Sequence, residues 1–278
     1  MAESSGTSGN PSSKENEELN YHYATLLVKE CTVELGWRDL SKDFVMDVGC
    51  GPDFNCCNVI LKEFPDVKYL VAIDKNESVF DDIKIKNNKI GWFVGDMLKR
   101  ETLSHFEGKI GKVISANTIH RIPNKKLFFE NSHHMLKPGG EVAFLFIVDS
   151  CYHNFMVALL KVEKFKSMYK GPFNPNMYSE GRRSQYYKQM LEEIGFRNVV
   201  AKEIEKKYPH PSDEEWKDSL YEGYKNVFDI PPERVDEIKE EAFQIYVSRI
   251  ERYEGSPCYS VLLLCLFGLK KKVETTVL

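Results

Sequence analysis

Apolar runs of five to eight residues alternate, through the first half of the chain, with segments whose apolar positions recur at helical spacing. The first run, Phe44-Val45-Met46-Asp47-Val48, ends in Gly49-Cys50-Gly51-Pro52. A helix should follow, with Val59, Ile60, Leu61 and Phe64 on one face and Pro65 closing it. Further strands are expected at residues 69–73, stopping at Asp74, at 90–94, stopping at Gly95-Asp96, at 112–116 and at 141–148. Helices are expected between them at 77–85 and 125–136, the second closed by Lys137-Pro138-Gly139-Gly140. Strands apolar on both faces, separated by helices, build a mostly parallel sheet covered on both sides. Residues 40–150 therefore read as a doubly wound α/β unit.

The flanks follow another rhythm. Residues 1–18 hold no large apolar side chain except Met1 and are expected to form a disordered tail. Order should begin at Leu19, where Tyr23, Leu26, Leu27, Cys31 and Val33 recur at helical spacing. Beyond Asp149, residues 151–192 read as helical and rich in aromatics, interrupted by Gly171-Pro172-Phe173-Asn174-Pro175. A sixth strand is expected toward Val200, helices at 214–227 and 232–252, and a seventh strand at 259–269. Lysines 270–272 would mark its solvent end, and 273–278 a second tail.

Composition narrows the function classes. At 278 residues, 42% hydrophobic and 29% charged, the chain suits a soluble protein of one large α/β domain or two smaller ones. A formal charge of -4 argues against nucleic acid as a partner. The longest apolar run, Val261–Leu269, is half of what a membrane span needs. Seven cysteines without any CxxC pair exclude the usual zinc ribbons and fingers, and no metal is expected. With no basic-then-apolar leader, a reduced, cytoplasmic protein is expected, as a monomer or homodimer.

The chemistry concentrates at strand ends. In Asp47-Val48-Gly49-Cys50-Gly51, two glycines between a strand and a helix let backbone approach a ligand closely. Asp74, 23 residues after Gly51, stands where a carboxylate takes ribose hydroxyls. A dinucleotide site needs a third glycine for its pyrophosphate, but here that position is Phe54, and Asp53 would repel the anion. S-adenosylmethionine has no phosphate and avoids this conflict.

Asp47-x-Gly49-x-Gly51, Asp74, Gly95-Asp96 and Leu136-Lys137-Pro138-Gly139-Gly140, in that order, resemble the class I S-adenosylmethionine-dependent methyltransferases across residues 44–148. The resemblance implies a seven-stranded Rossmann-like sheet with a helical substrate cap, the cap drawn from 19–39, 151–192 and 212–254 of one domain spanning 19–272. It implies that Gly49, Cys50 and Gly51 line the methionyl part of the cofactor, with Asp47 hydrogen-bonding nearby. Asp74 would hold the ribose with Lys75 beside it, Asp96 and Met97 the adenine, and Asn117 would lie under the sulfonium. Asp53 departs from the family, which usually has glycine there.

The lead-in helix, Ile119-His120-Arg121, the stretch from Phe165 to Tyr178 and the region from Trp216 to Tyr259 look like arthropod juvenile hormone acid O-methyltransferases. That resemblance implies O-methylation of a small apolar carboxylic acid of the juvenile hormone or farnesoic acid type. The insect enzymes carry tryptophan where this chain has Arg121. A carboxylate is ionised at neutral pH and needs no general base, only orientation, which His120 and Arg121 could supply. For a phenol or amine, His120 would be the base. Asp53 and Arg121 also fit a cofactor-impaired relative acting as a binding module.

Overall fold

β1 (Phe44–Val48) is buried from its second residue onward. It pairs in parallel with β2 (Tyr69–Asp74) on one side and β4 (Ile110–Ala116) on the other. β3 (Ile90–Val94) adds in parallel to β2, and β5 (Leu136–Ser150) in parallel to β4. β6 (Phe196–Pro209) and β7 (Cys258–Lys270) complete a seven-stranded sheet of order β3-β2-β1-β4-β5-β7-β6. Chain progression runs one way from β1 through β3 and the other way from β4, so the switch point lies between β1 and β4. In open α/β sheets a ligand binds at that point, beyond the carboxyl ends of the strands.

The structure is a computed structural model and describes residues 13–81, 87–178, 181–250 and 252–272. The chain divides into two compact units. The first comprises the described residues of 17–147, 180–204 and 264–278. It contains α2 (Asn55–Glu63), α3 (Lys125–Met135) and α6 (Ser184–Ile194), together with nearly all of α1 (Ser13–Glu34). The second comprises the described residues of 1–16, 148–179 and 205–263. Its core joins α4 (Cys151–Leu159), α5 (Glu163–Met168), α7 (Asp213–Tyr224) and α8 (Val235–Val247) through Phe155, Phe165, Trp216, Tyr224, Phe243 and Tyr246. There the Tyr246 hydroxyl donates to the Cys258 carbonyl at 2.6 Å.

Three expectations need correction. Ordered structure begins at Ser13, six residues before the expected Leu19, because α1 extends through its polar first turn. Extending an existing helix through good helix formers costs far less than nucleating one. Of the segment expected as a helix at 77–85, Glu77–Phe80 form a 3₁₀ turn, and 82–86 lie outside the described residues. Lys270 is no solvated strand end: its Nζ donates to the carbonyls of His133 and Leu136 at 2.8 and 2.7 Å, satisfying the last turn of α3. The expected tails at 1–12 and 273–278 lie outside the described residues. Among the described residues no helix is long and apolar enough to cross a membrane.

Candidate functional site

The turn after β1 closes onto β2. The N–H groups of Gly49 and Cys50 both donate to the Ile73 carbonyl, at 2.8 and 3.1 Å. Gly49 sits at φ 72° with Thr118 packed against it, so a Cβ there would stand 2.3 Å from Thr118 Cγ2. Gly51, at φ 61°, has nothing within 4 Å of where its Cβ would be. One glycine allows β1 and β4 to close; the other faces open space. Asp74, at the end of β2, accepts the Gly51 N–H on Oδ2 at 3.3 Å and the Asn76 N–H on Oδ1 at 3.0 Å. That contact links the two motifs 23 residues apart in sequence. Lys75 beside it is exposed.

Asp47 lies beneath this turn and is 2% exposed. Burial lifts its carboxyl to about 7, opposed by hydrogen bonds from the thiols of Cys57 and Cys56. The Cys57 contact, Sγ to Oδ2, measures 3.5 Å. Burial pushes both thiols up, so they stay neutral donors. All seven cysteines are free thiols, and no cluster among the described residues could hold a metal ion.

At the carboxyl end of β4 the backbone turns sharply. Asn117 adopts φ 56° and donates its N–H to Leu145 at 2.8 Å. Its side-chain amide donates to Asn20 Oδ1 on α1 at 2.7 Å, while its own Oδ1 is buried without a hydrogen-bond partner. Ser115 Oγ donates to the Val48 carbonyl, and Thr118 Oγ1 to the Gly49 carbonyl, at 2.7 and 3.1 Å. These two bonds tie the end of β4 to the glycine turn. His120 and Arg121 follow in a 3₁₀ turn. His120 is buried, and burial, then Arg121 and Lys125, hold its imidazole well below the usual range. Arg121 is exposed. Lys125 Nζ folds back to donate to the carbonyls of His120 and Ile122 at 3.2 and 2.9 Å.

Beyond β3, Asp96 Oδ1 accepts the Leu98 N–H at 2.9 Å. Met97 is buried, and its carbonyl accepts Asn131 Nδ2 at 2.7 Å. A shallow pocket of about 390 Å³ opens beside the glycine turn, lined by Glu17, Glu18 and Tyr21 of α1 and by Asp53, Asn55 and Asn58. Phe54 carries the left-handed residue that starts α2, at φ 51°, and its buried ring packs 6.0 Å from Phe80.

The expected cofactor set thus divides by strand: Asp47, Gly49, Cys50 and Gly51 at β1, Asp74 and Lys75 at β2, Asp96 and Met97 at β3, Asn117 at β4. Hydrogen bonds join β1 to β2 and to β4 at this edge. Sequence reasoning missed Asn20, Cys57, Thr118 and Lys125. None of the four carried a signal in the sequence; the contact of Thr118 with Gly49, for one, joins residues 69 apart. The residues suit S-adenosylmethionine on three counts: free space over Gly51, a carboxylate at the end of β2, and a buried unpaired acceptor at Asn117 Oδ1.

Residues 40–211 match the family described as methyltransferase domain. No curated protein matches the chain by sequence. Among solved structures, a candidate methyltransferase from Bacillus halodurans C-125 shares 18% identity at a TM-score of 0.57, over 88% of this chain and 99% of that one. YcgJ of Bacillus subtilis shares 10% identity at a TM-score of 0.58, over 91% of this chain and 100% of that one. Phosphoethanolamine N-methyltransferase 2 of Haemonchus contortus, solved with phosphomonomethylethanolamine and S-adenosylhomocysteine, shares 13% identity at a TM-score of 0.51. This alignment covers 90% of the present chain and 53% of the Haemonchus chain. Such low identities show the fold alone. The match over 40–211 shows the family: the chain belongs to the methyltransferases, whose cofactor is S-adenosylmethionine.

Proposed function

We propose that the chain transfers a methyl group from S-adenosylmethionine to the carboxylate of a small apolar acid, of the terpenoid or fatty acid type. The observation that carries the cofactor reading is the bond between the Gly51 N–H and Asp74, which fixes a carboxylate beside open glycine backbone. In this reading Asp74 takes the ribose hydroxyls, with Lys75 at the rim. Gly49, Cys50 and Gly51 provide the methionyl wall above Asp47, and Asp96 and Met97 hold the adenine. Asn117 lies under the sulfonium, its Oδ1 against the cationic sulfur. S-adenosylmethionine, when bound, supplies a methyl group on a cationic sulfur.

The protein's task toward an acid is orientation. The acceptor oxygen is already ionised, so His120 need not remove a proton; held neutral by burial, it can donate or accept one hydrogen bond. Arg121 adds a cation at the same turn, and a charge-assisted bond would fix the carboxylate in line with the methyl group. A second reading, methylation of an amine, is favoured by the carboxylates of Glu17, Glu18 and Asp53 around the pocket beside the glycine turn. A tritiated-methyl transfer assay over panels of acids, phenols and amines separates these. Incorporation into acids alone is expected. Incorporation into amines alone would replace the acid reading, and no incorporation by folded protein would favour a binding module.

A further inference from the structure

Thr118 opens the 3₁₀ turn Ile119–Arg121, whose first bond runs from the Arg121 N–H to the Thr118 carbonyl at 3.0 Å. A threonine before a helical turn commonly points its hydroxyl back to accept an N–H of that turn. Thr118 makes no such bond. Its one hydroxyl proton is directed instead to the Gly49 carbonyl at 3.1 Å, with the Ala116 carbonyl beside it at 3.2 Å.

Gly49 is thereby gripped from both neighbours of β1. Its N–H donates to the Ile73 carbonyl of β2, and its C=O receives the Thr118 hydroxyl from beyond β4. At φ 72° and without a Cβ, its peptide is set by these bonds rather than by its own sterics. The Thr118 methyl fills the space over it, 2.3 Å from where a Cβ would stand. The same peptide leads on to Cys50 and to Gly51, whose N–H must meet Asp74.

Thr118 itself is held in place by its neighbours. Asn117, at φ 56°, takes a conformation unfavourable for a residue with a Cβ. Its N–H bond to the Leu145 carbonyl and its side-chain bond to Asn20 keep it there. Downstream, Lys125 Nζ clasps the carbonyls of His120 and Ile122. Strained backbone retained by several bonds is common where a site's geometry is set. Ser115, by contrast, bonds Val48 inside the sheet and leaves the turn alone. All of these residues belong to one compact unit.

We infer that Thr118 is a positioning residue. Its hydroxyl holds the glycine turn in the form that receives the cofactor, and its carbonyl starts the turn that carries His120 and Arg121. One residue thus fixes the methyl donor's wall relative to the acceptor side, as an in-line transfer requires. The inference rests on reading Gly49, Cys50 and Gly51 as the methionyl wall and is independent of which acceptor is methylated.

The test compares Thr118→Val, which keeps the shape and loses the hydroxyl, with Thr118→Ser, which keeps the hydroxyl and loses the methyl. Each loses one contact, so both should melt a few degrees below the parent and close to one another. Calorimetric titration with S-adenosylhomocysteine should separate them. Thr118→Val should bind about fivefold more weakly or worse, and Thr118→Ser within about twofold of the parent. Thr118→Ala should bind as weakly as Thr118→Val, and stands in for it if the valine variant does not fold. Hydrogen–deuterium exchange of a peptide covering 117–124 gives the second readout. Saturating S-adenosylhomocysteine should protect it in the parent and in Thr118→Ser, and much less in Thr118→Val.

Equal affinities in Thr118→Val and the parent overturn the inference. So do affinities that fall alike in the valine and serine variants, the mark of a merely structural role. A peptide that S-adenosylhomocysteine leaves unprotected in the parent overturns the link to the acceptor side. A folded parent that does not bind S-adenosylhomocysteine removes the cofactor site itself, and the inference with it.

Discussion

Asn117 and Asn20, 97 residues apart in sequence, meet in a hydrogen bond of 2.7 Å from the amide of one to the oxygen of the other. The bond fixes which way the Asn117 amide faces. Its nitrogen is committed to α1, so its oxygen, buried and unpaired, is what the end of β4 offers a ligand.

Asn20→Ala should therefore weaken S-adenosylhomocysteine by about fivefold, the worth of one hydrogen bond of about 1 kcal/mol, without unfolding the chain. Asn117→Ala removes the acceptor itself and should cost more. Calorimetric titration measures both, and equal affinities in parent and both variants would remove Asn117 from the site.

The two glycines of the turn should respond differently. Gly49→Ala drives a Cβ to within 2.3 Å of Thr118 Cγ2 and should destabilise the fold measurably. Gly51→Ala meets no atom within 4 Å. Its cost to folding should be about 1 kcal/mol, from the positive φ alone, while cofactor affinity falls about tenfold as the methyl group enters the ligand's space. Thermal melts and titrations on the two variants decide this. Equal stabilities would contradict the packing of Thr118 on Gly49.

Asp47 predicts a pH dependence. Burial keeps its carboxyl protonated in the folded chain up to about 7, whereas an unfolded aspartate ionises near 3.9. Between those values the folded state binds the extra proton, so stability falls as pH rises from about 4 to about 7 and then levels off. A difference of about 3 units corresponds to about 4 kcal/mol. Asp47→Asn should flatten the slope between about pH 4 and about pH 7 in urea unfolding of the ligand-free protein. An unchanged slope would place the responsible proton elsewhere.

Acid methylation should show little pH dependence of its own. His120 is held neutral well below the usual imidazole range, and a carboxylate substrate of pKa about 4 stays ionised. The rate with an acid acceptor should therefore stay flat from about pH 6 to about pH 8. A rate that drops through the ordinary imidazole range would assign His120 a proton-transfer role instead. Arg121→Met should raise the Michaelis constant for acids, and an unchanged value would remove that contact.

Much of the cofactor edge was legible because its signals are local. Strand, paired glycines and a carboxylate 23 residues on are set by backbone sterics and sheet geometry, and Gly51 and Asp74 do meet. The start of α1 was missed because its first turns are polar and carry no apolar period. The sixth strand expected toward Val200 runs on to Pro209, where half-buried positions alternate with exposed charged ones and leave only a weak apolar period to read. Asn20 and Lys125 were illegible for a different reason. Each makes a contact set by how α1 or α3 packs, and a single polar residue on a helix has no periodic signature.

The most direct test of the cofactor site is calorimetric titration of the parent and of Asp74→Ala with S-adenosylhomocysteine. Micromolar binding by the parent, weakened about tenfold or more in Asp74→Ala, is the expected result. A folded parent that binds no tighter than about millimolar, or an Asp74→Ala variant that binds as well as the parent, would contradict it.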